Sequence, residues 1–247
     1  MKGVILAGGL GTRLYPLTKI TNKHLLPVYD EPMIYYPIKA LVEAGIDDIM
    51  VVCGGNHAGE FLRLLGNGRE FGLKHLNYTY QDREGGIAEA LGLCEHFIEK
   101  EKVIVFLGDN IIGESLAAAV KEFEEQEEGA RILLKEVEDP TDYGVAKFDA
   151  NGTIINIIEK PKIPPSHFAV VGIYMYDSRV FEIIKTLKPS DRGELEITDV
   201  NNAYLQIGKL HYSILGGFWA DSGASIEAYY QTVRIVRDTK LNNSSNH

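Results

Sequence analysis

A short apolar run that breaks straight into glycines constrains this chain more than any other stretch. Gly3-Val4-Ile5-Leu6-Ala7 leads into Gly8-Gly9-Leu10-Gly11-Thr12-Arg13 and Leu14-Tyr15-Pro16-Leu17, and Lys23-His24-Leu25-Leu26-Pro27 follows. A strand without polar residues is buried on both faces, which places it inside a helix-covered parallel sheet. Glycines allow positive φ and let backbone N–H groups approach a ligand with no Cβ in the way. Successive N–H groups in such a turn make a concave anion site, and Arg13 adds a planar fork that matches phosphate oxygens. In open α/β sheets, ligands sit beyond the carboxyl ends of the strands, which is where this turn falls. Two standard phosphate motifs do not fit. Counted from Gly9 and Gly11, the third glycine of a dinucleotide fingerprint is Leu14, and the P-loop Gly-Lys-Ser/Thr is replaced by Gly11-Thr12-Arg13. A tight turn carrying one solvated arginine is the competing reading of the glycines taken alone.

The first half of the chain alternates strand and helix patterns. Val4–Leu6, Asp48–Val52, Leu76–Tyr80 and Val103–Leu107 read as strands. Between them, Met33–Ala44 reads as a helix with Ile34, Ile38, Leu41 and Val42 on its apolar face and Gly45 capping its end. Further helices are expected around Glu60–Leu65, over Ile87–Phe97, and over Leu116–Glu127 with a strongly acidic solvated face. The alternation predicts an α/β fold with a parallel sheet covered on both sides. After Gly129 the pattern changes to Arg131–Val137, Gly144–Phe148, Ile154–Glu159 and Val170–Tyr176, strand-like segments with a hairpin turn at Asp149-Ala150-Asn151-Gly152. Arg179–Leu187, Glu196–Gln206 and Ile226–Arg237 read as helices, and 241–247 as a frayed polar tail. We expect a single domain over 1–247. Its second half, about 130–240, extends the sheet and forms a cleft against the first, about 1–129.

Composition decides which partners are excluded. The net charge of −10, from 25 basic and 35 acidic residues, argues against non-specific binding to nucleic acid or to an anionic membrane. An anionic substrate then depends on local basic residues, so individual Arg and Lys positions carry information. No apolar stretch approaches membrane-spanning length, and the run after Lys2 is too short for a signal peptide, so a cytoplasmic location is expected. Cys53 and Cys94 lie in or beside apolar segments and read as reduced packing residues.

Leu6-Ala7-Gly8-Gly9-Leu10-Gly11-Thr12-Arg13-Leu14, with Lys23 and Leu25-Leu26-Pro27, resembles the sugar-1-phosphate nucleotidyltransferases. Leu107-Gly108-Asp109-Asn110, Tyr143-Gly144-Val145, Glu159-Lys160-Pro161, Arg192-Gly193-Glu194-Leu195-Glu196-Ile197-Thr198-Asp199 and Trp219-Ala220-Asp221-Ser222-Gly223 narrow the likeness to the glucose-1-phosphate thymidylyltransferases. The match runs through nearly the whole chain in the expected order. It implies a Rossmann-like nucleotidyltransferase fold: a mostly parallel mixed sheet flanked by helices, with a smaller sugar-binding sheet extension. The activity implied is Mg²⁺-dependent transfer of dTMP from dTTP to glucose 1-phosphate, giving dTDP-glucose and pyrophosphate. The sugar phosphate oxygen would attack the α-phosphorus in line, chemistry that asks for positioning and charge neutralisation. A homo-oligomer, dimer or tetramer, is also implied.

The resemblance assigns roles residue by residue. Arg13 corresponds to the arginine on the triphosphate and Lys23 to the lysine between the two phosphates. Leu6, Gly8, Gly9, Gly11, Thr12, Gln81, Gly86 and Asp109 are implied nucleotide contacts, with Gln81 and Gly86 reading the base. Asn110, Tyr143, Gly144, Glu159, Lys160, Val171 and Arg192 are implied around the sugar phosphate, and Asp109 and Asp221 around the metal. Mg²⁺ is a hard ion usually held by one or two carboxylates with waters and phosphates. The residues alone leave other readings open: Asp109 as a helix N-cap, Lys23 as a solvated lysine, Gln81 as an exposed strand end, and Glu194 and Glu196 as capping or surface acids outside the site. Two positions depart from the family pattern: His24 stands where many thymidylyltransferases have a glutamine thought to touch the deoxyribose, and Leu10 replaces a small residue. His24 is expected to donate one hydrogen bond there, and Leu10 to point outward. A uridylyltransferase making UDP-glucose and a non-catalytic nucleotide-sugar-binding module are the rival functions.

Overall fold

A computed structural model describes the chain through residue 244 and its side chains through residue 242. The apolar opening run forms β1 (Lys2–Ala7), from Gly3 onward fully buried as its composition requires. A short ribbon, β2 (Pro27–Val28) and β3 (Glu31–Pro32), precedes α1 (Tyr35–Glu43), whose Ile38 and Leu41 are buried and which ends at Gly45 in the left-handed region (φ 86°). There follow β4 (Asp48–Gly54), α2 (Ala58–Leu65), β5 (His75–Gln81), α3 (Ile87–Gly92), α4 (Glu95–Ile98) and β6 (Val103–Leu107). The helix expected over Ile87–Phe97 is thus two short helices, broken at Leu93 and Cys94. β7 (Asn110–Ile112) and α5 (Ala117–Glu125) complete the first half.

The strands β6, β1, β4 and β5 lie side by side and all parallel. The chain moves from β1 outward through β4 and β5, then returns to place β6 on β1's other side. The strand order reverses between β1 and β6, and in doubly wound sheets such a reversal opens a crevice at the strands' carboxyl ends. Gly8 and Asp109 sit at those two ends.

The second half continues the same sheet. β8 (Ala130–Glu136), β9 (Gly144–Phe148), β10 (Ile154–Glu159) and β11 (Phe168–Tyr176) are followed by α6 (Val180–Thr186), α7 (Ile197–Gln206), β12 (Leu210–Ile214), β13 (Trp219–Asp221) and α8 (Ile226–Ser244). The nine-stranded sheet runs β10-β9-β11-β6-β1-β4-β5, with β8 on β11 and β12 parallel on β8. β11 is the joint. Its early residue Ala169 pairs with β9, whereas Ile173–Tyr176 pair with β6, so the edge between them is left open beside the crevice. The hairpin between β9 and β10 turns at Gly152 (φ 80°), with Asp149 Oδ1 accepting from the Asn151 and Thr153 N–H groups.

Strand periodicity divides the core between the sheet's two faces. Val4, Leu6, Val170 and Tyr174 belong to one layer with α3, α6 and α7, while Ile5, Ala7, Val171 and Ile173 face the other with α1, α2 and α5. A third cluster gathers Leu14, Val28, Met33 and Ile111 under Tyr229 and Val236 of α8. α8 does not end at Arg237: it continues through Ser244, so the frayed tail expected from 241 is helical as far as it is described, and residues 245–247 lie outside the described part. Both cysteines are free and buried, and burial pushes each thiol up to about 12.

Candidate active site

The crevice is a cleft of about 440 Å³. On its nucleotide side, the glycine turn leaves β1, and the three glycines have different jobs. Only Gly11 is left-handed (φ 68°), starting the tight turn Thr12–Leu14. Gly8 lets the Gln81 amide approach the turn, because a Cβ there would come 2.9 Å from Gln81 Oε1 and displace it. Leu10 does point outward, and its N–H donates to Glu84 Oε1 at 3.0 Å. The Leu10 N–H is thus one donor of the turn that already meets an anionic oxygen. Arg13 lines the cleft, is exposed, and makes no ion pair among the described residues.

Lys23 and two aspartates form the centre. Asn22 fixes the Lys23 segment by donating from Nδ2 to the Ala7 and Gly9 carbonyls while its Oδ1 accepts the His24 N–H at 2.9 Å. Lys23 Nζ reaches Asp109 Oδ2 at 2.5 Å. Asp221 arrives through β13, which pairs with β7 so that Asp221 lies opposite Asn110, and the Ser222 N–H donates to the Asp109 carbonyl at 2.9 Å. Glycine follows, and a Cβ on Gly223 would push the Asp109 carboxylate and the Lys23 ammonium out of their present places.

Electrostatics at this centre are unbalanced. Burial works to raise the Asp109 carboxyl, but the Lys23 charge, with lesser help from His24 and Asn110, outweighs it and holds the group well below the usual carboxylate range. The same pairing raises Lys23 against the opposing effect of burial. Asp221 makes no ion pair among the described residues; burial first, and then repulsion from Asp109, push it up to about 7 against the weaker pull of the Lys23 charge and the Gly223 N–H on its Oδ1. Asp109 and Asp221 place two carboxylates beside a single lysine, a hard-oxygen donor set suited to a divalent cation. Both groups supply hard oxygen ligands, so the residues present fit Mg²⁺.

On the other side of the cleft, Glu159 ends β10 and its Oε2 meets Thr198 Oγ1 at 2.5 Å. Lys160 follows in the left-handed region (φ 43°), a conformation that costs a non-glycine residue about 1 kcal/mol or more. Arg192 is bound in a fork by Glu196, with Nη2 at 2.7 Å and Nε at 3.2 Å, and lies 3.4 Å from Glu194 and 3.6 Å from Glu159. Tyr143 meets the Trp219 ring edge-on at 5.1 Å, and Trp219 Nε1 donates to Asn110 Oδ1 at 2.7 Å.

The sequence profile of nucleotidyl transferases matches residues 2–239. The chain belongs to the nucleotidyl transferase family. It is 45% identical to the glucose-1-phosphate thymidylyltransferase of Neisseria meningitidis, over 98% of this chain and 86% of that one. It is 46% identical to the enzyme of the same name from Mycolicibacterium smegmatis, over 98% of this chain and 84% of the relative. Among solved structures, a Bacillus anthracis protein provisionally called a glucose-1-phosphate thymidylyltransferase superposes with a TM-score of 0.92 at 51% identity, over 96% of both chains. A UDP-glucose pyrophosphorylase bound to UDP-glucose superposes with a TM-score of 0.83 at 25% identity, over 96% of this chain and 98% of that one.

Against the roles expected for a nucleotidyl transferase, the fold brings together Leu6, Gly8, Gly9, Gly11, Thr12, Arg13, Lys23, Gln81, Gly86, Asp109, Asn110, Tyr143, Gly144, Glu159, Lys160, Arg192 and Asp221 around one cleft. Val171 is the exception. Strand alternation turns its side chain into the opposite core layer, fully buried, and its neighbours Val170 and Gly172 line the cleft instead. Asp109 is no N-cap, since β7 follows it directly. Glu194 and Glu196, left outside the site on sequence grounds, line it and restrain Arg192. Asn110 is mostly occupied: Oδ1 accepts from Gly172 N–H and Trp219, and Nδ2 donates to Asp109 Oδ1 at 3.1 Å. His24 is buried, and burial with the adjacent Lys23 charge lowers it to about 3. Its Nδ1 lies 2.7 Å from Asn22 Oδ1, an acceptor, so Nδ1 carries the proton and Nε2 the lone pair. The ring nitrogen left over therefore accepts rather than donates. Thr198 and Trp219 line the cleft as well, and both belong to sequence segments that carry the family resemblance without being assigned a role by it.

Proposed function

We propose that this chain transfers dTMP from dTTP to glucose 1-phosphate, releasing pyrophosphate and forming dTDP-glucose. The observation that carries the reading is the convergence of Arg13, Lys23, Asp109 and Asp221 on one cleft between a glycine turn and a second, polar half-site. The names of relatives 45–46% identical over nearly the whole chain support the choice of substrates.

In this mechanism the glycine turn and Arg13 hold the triphosphate, and Arg13 balances charge that builds on the departing pyrophosphate. Lys23 lies between the α-phosphate and the incoming sugar phosphate and lowers the repulsion between two anions. Glu159 and Tyr143 face the sugar hydroxyls, Gly144 leaves room for the ring, and Lys160 and Arg192 grip its phosphate. Arg192 must trade part of its carboxylate fork for that phosphate, which ties substrate binding to movement of Glu196. Asp109 and Asp221 would hold Mg²⁺, which supplies charge neutralisation at the reacting phosphates when bound. The halves about 1–129 and 130–240 then serve nucleotide and sugar phosphate respectively. Among the described residues no helix is long and apolar enough to cross a membrane. Cytoplasmic location and a homo-oligomer, dimer or tetramer, complete the proposal; sedimentation at working concentration tests the latter, and a monomer would remove it.

UDP-glucose synthesis is the second reading, favoured by the likeness to a UDP-glucose pyrophosphorylase fold. Pyrophosphate release over a grid of dTTP, UTP and several sugar 1-phosphates separates the two, and a large preference for UTP would reverse the choice.

A further inference from the structure

Gln81 ends β5 with its amide over Gly8, and the orientation of that amide is settled by chemistry. One end lies 3.3 Å from the Gly86 carbonyl and 3.3 Å from Glu89 Oε1. A carbonyl and a carboxylate only accept, so this end is the NH₂ group and the oxygen is turned the other way, toward Gly8 and the cleft. Glu89 itself does not line the cleft. Its Oε2 takes two N–H bonds from Arg83, from Nε at 3.2 Å and Nη2 at 2.8 Å, and its carboxylate lies over Gly85, where a Cβ would displace it. Arg83, Glu89 and Gln81 therefore form a chain that runs from the surface to the cleft. Gln81 at its inner end is the side chain assigned to the base.

We propose that Glu89, braced by Arg83, is a positioning residue that locks the Gln81 amide with its oxygen into the cleft, so that the site accepts pyrimidines bearing an N3–H. Thymine and uracil carry that donor. Cytosine presents a lone pair at N3, which would face the fixed oxygen lone pair to lone pair. Were the amide free to rotate, its NH₂ could serve cytosine equally well. The lock thus excludes cytidine nucleotides without Glu89 touching the base, and it does not separate dTTP from UTP. The inference rests on the reading of Gln81 as the base-contacting side chain.

The test is kcat/KM for dTTP and for dCTP with glucose 1-phosphate, by pyrophosphate release, in the wild type, Glu89→Met, Glu89→Gln and Gln81→Ala. Glu89→Met removes the charged acceptor at similar volume and leaves the Gly86 carbonyl alone on the NH₂; Glu89→Gln keeps the shape but offers an amide that can turn its own NH₂ toward Gln81, so that only that carbonyl holds the orientation. Both are expected to lower the dTTP-over-dCTP ratio by about tenfold, the size of one mismatched hydrogen bond, with the KM for glucose 1-phosphate unchanged. The Glu89→Gln result decides should Glu89→Met fail to fold. A ratio within about twofold of wild type in the Glu89 variants, with Gln81→Ala lowering it, overturns the lock alone. An unchanged ratio in Gln81→Ala as well overturns the assignment of Gln81 to the base.

Discussion

At the residue scale, the charge balance at the centre makes the sharpest predictions. Asp109→Asn keeps the volume but removes one carboxylate and the partner of Lys23, so turnover should fall by roughly two orders of magnitude or more while the fold is retained. Steady-state rates at saturating Mg²⁺ check this, and near-normal activity there would remove Asp109 from metal binding. Arg13→Ala should lower kcat more than it raises the KM for glucose 1-phosphate, and Lys160→Ala the reverse. His24 gives a pH signature. Its folded value of about 3 lies below the ordinary 6.5, so below pH 6.5 the unfolded chain takes up a proton that the folded chain refuses. The stability this group contributes is whole above about pH 6.5 and is lost as pH falls toward 3, by roughly 2–5 kcal/mol over that span. His24→Gln should flatten that part of an acid denaturation series measured by urea melts; an unaltered slope would contradict the buried neutral ring. Several residue assignments were legible as motif positions: Arg13, Lys23 and Asp109 stand at a glycine turn or a strand end. Val171 was not, because a segment match fixes a residue's place along a strand but not the face its side chain takes. Glu194 and Glu196 looked like surface acids until Arg192 was seen folding back on them.

At the element scale, α8 holds the phosphate side in place from below. Tyr229 Oη donates to the Pro27 carbonyl at 2.5 Å, just past Lys23, and Val236 packs in the cluster with Leu14 and Met33. Val236→Ala should cost about 1–2 kcal/mol of stability for the methyl groups lost and raise the KM for dTTP by loosening the segment that carries Lys23. Thermal melts and initial rates check both effects, and a stability loss with an unmoved KM would leave α8 a purely structural element. Glu84 occupies the Leu10 N–H, which on the proposed reading is a donor for the triphosphate. Glu84→Gln should therefore lower the KM for dTTP, since a neutral amide competes less well than a carboxylate. Helix and strand periods carried most of the element boundaries. The breaks came where three-residue strands, β7 and β13, are too short to show any period, and where α8 keeps its helix through a polar stretch that composition alone reads as a tail.

At the scale of the whole molecule, alternation of strands and helices announced the parallel core, and the change of pattern after Gly129 announced the extension. What sequence spacing could not supply was the return of β6 to the far side of β1 and the pairing of β13 with β7, which together carry Asp221 across the chain to Asp109. Both are long-range pairings, specified by the whole core rather than by any local signal. They are also what turns two phosphate-friendly half-sites into one cleft, and the central claim is that this cleft joins two anionic substrates. The measurement that tests it most directly is pyrophosphate release in the presence of Mg²⁺ with dTTP and glucose 1-phosphate together, against each alone and against UTP in place of dTTP. Release that requires both substrates, with kcat/KM for dTTP above that for UTP by about tenfold or more, is the predicted result. Release that prefers UTP would reverse the choice of nucleotide, and no release with any pairing of triphosphate and sugar 1-phosphate, or release that needs only one of them, would contradict the claim itself.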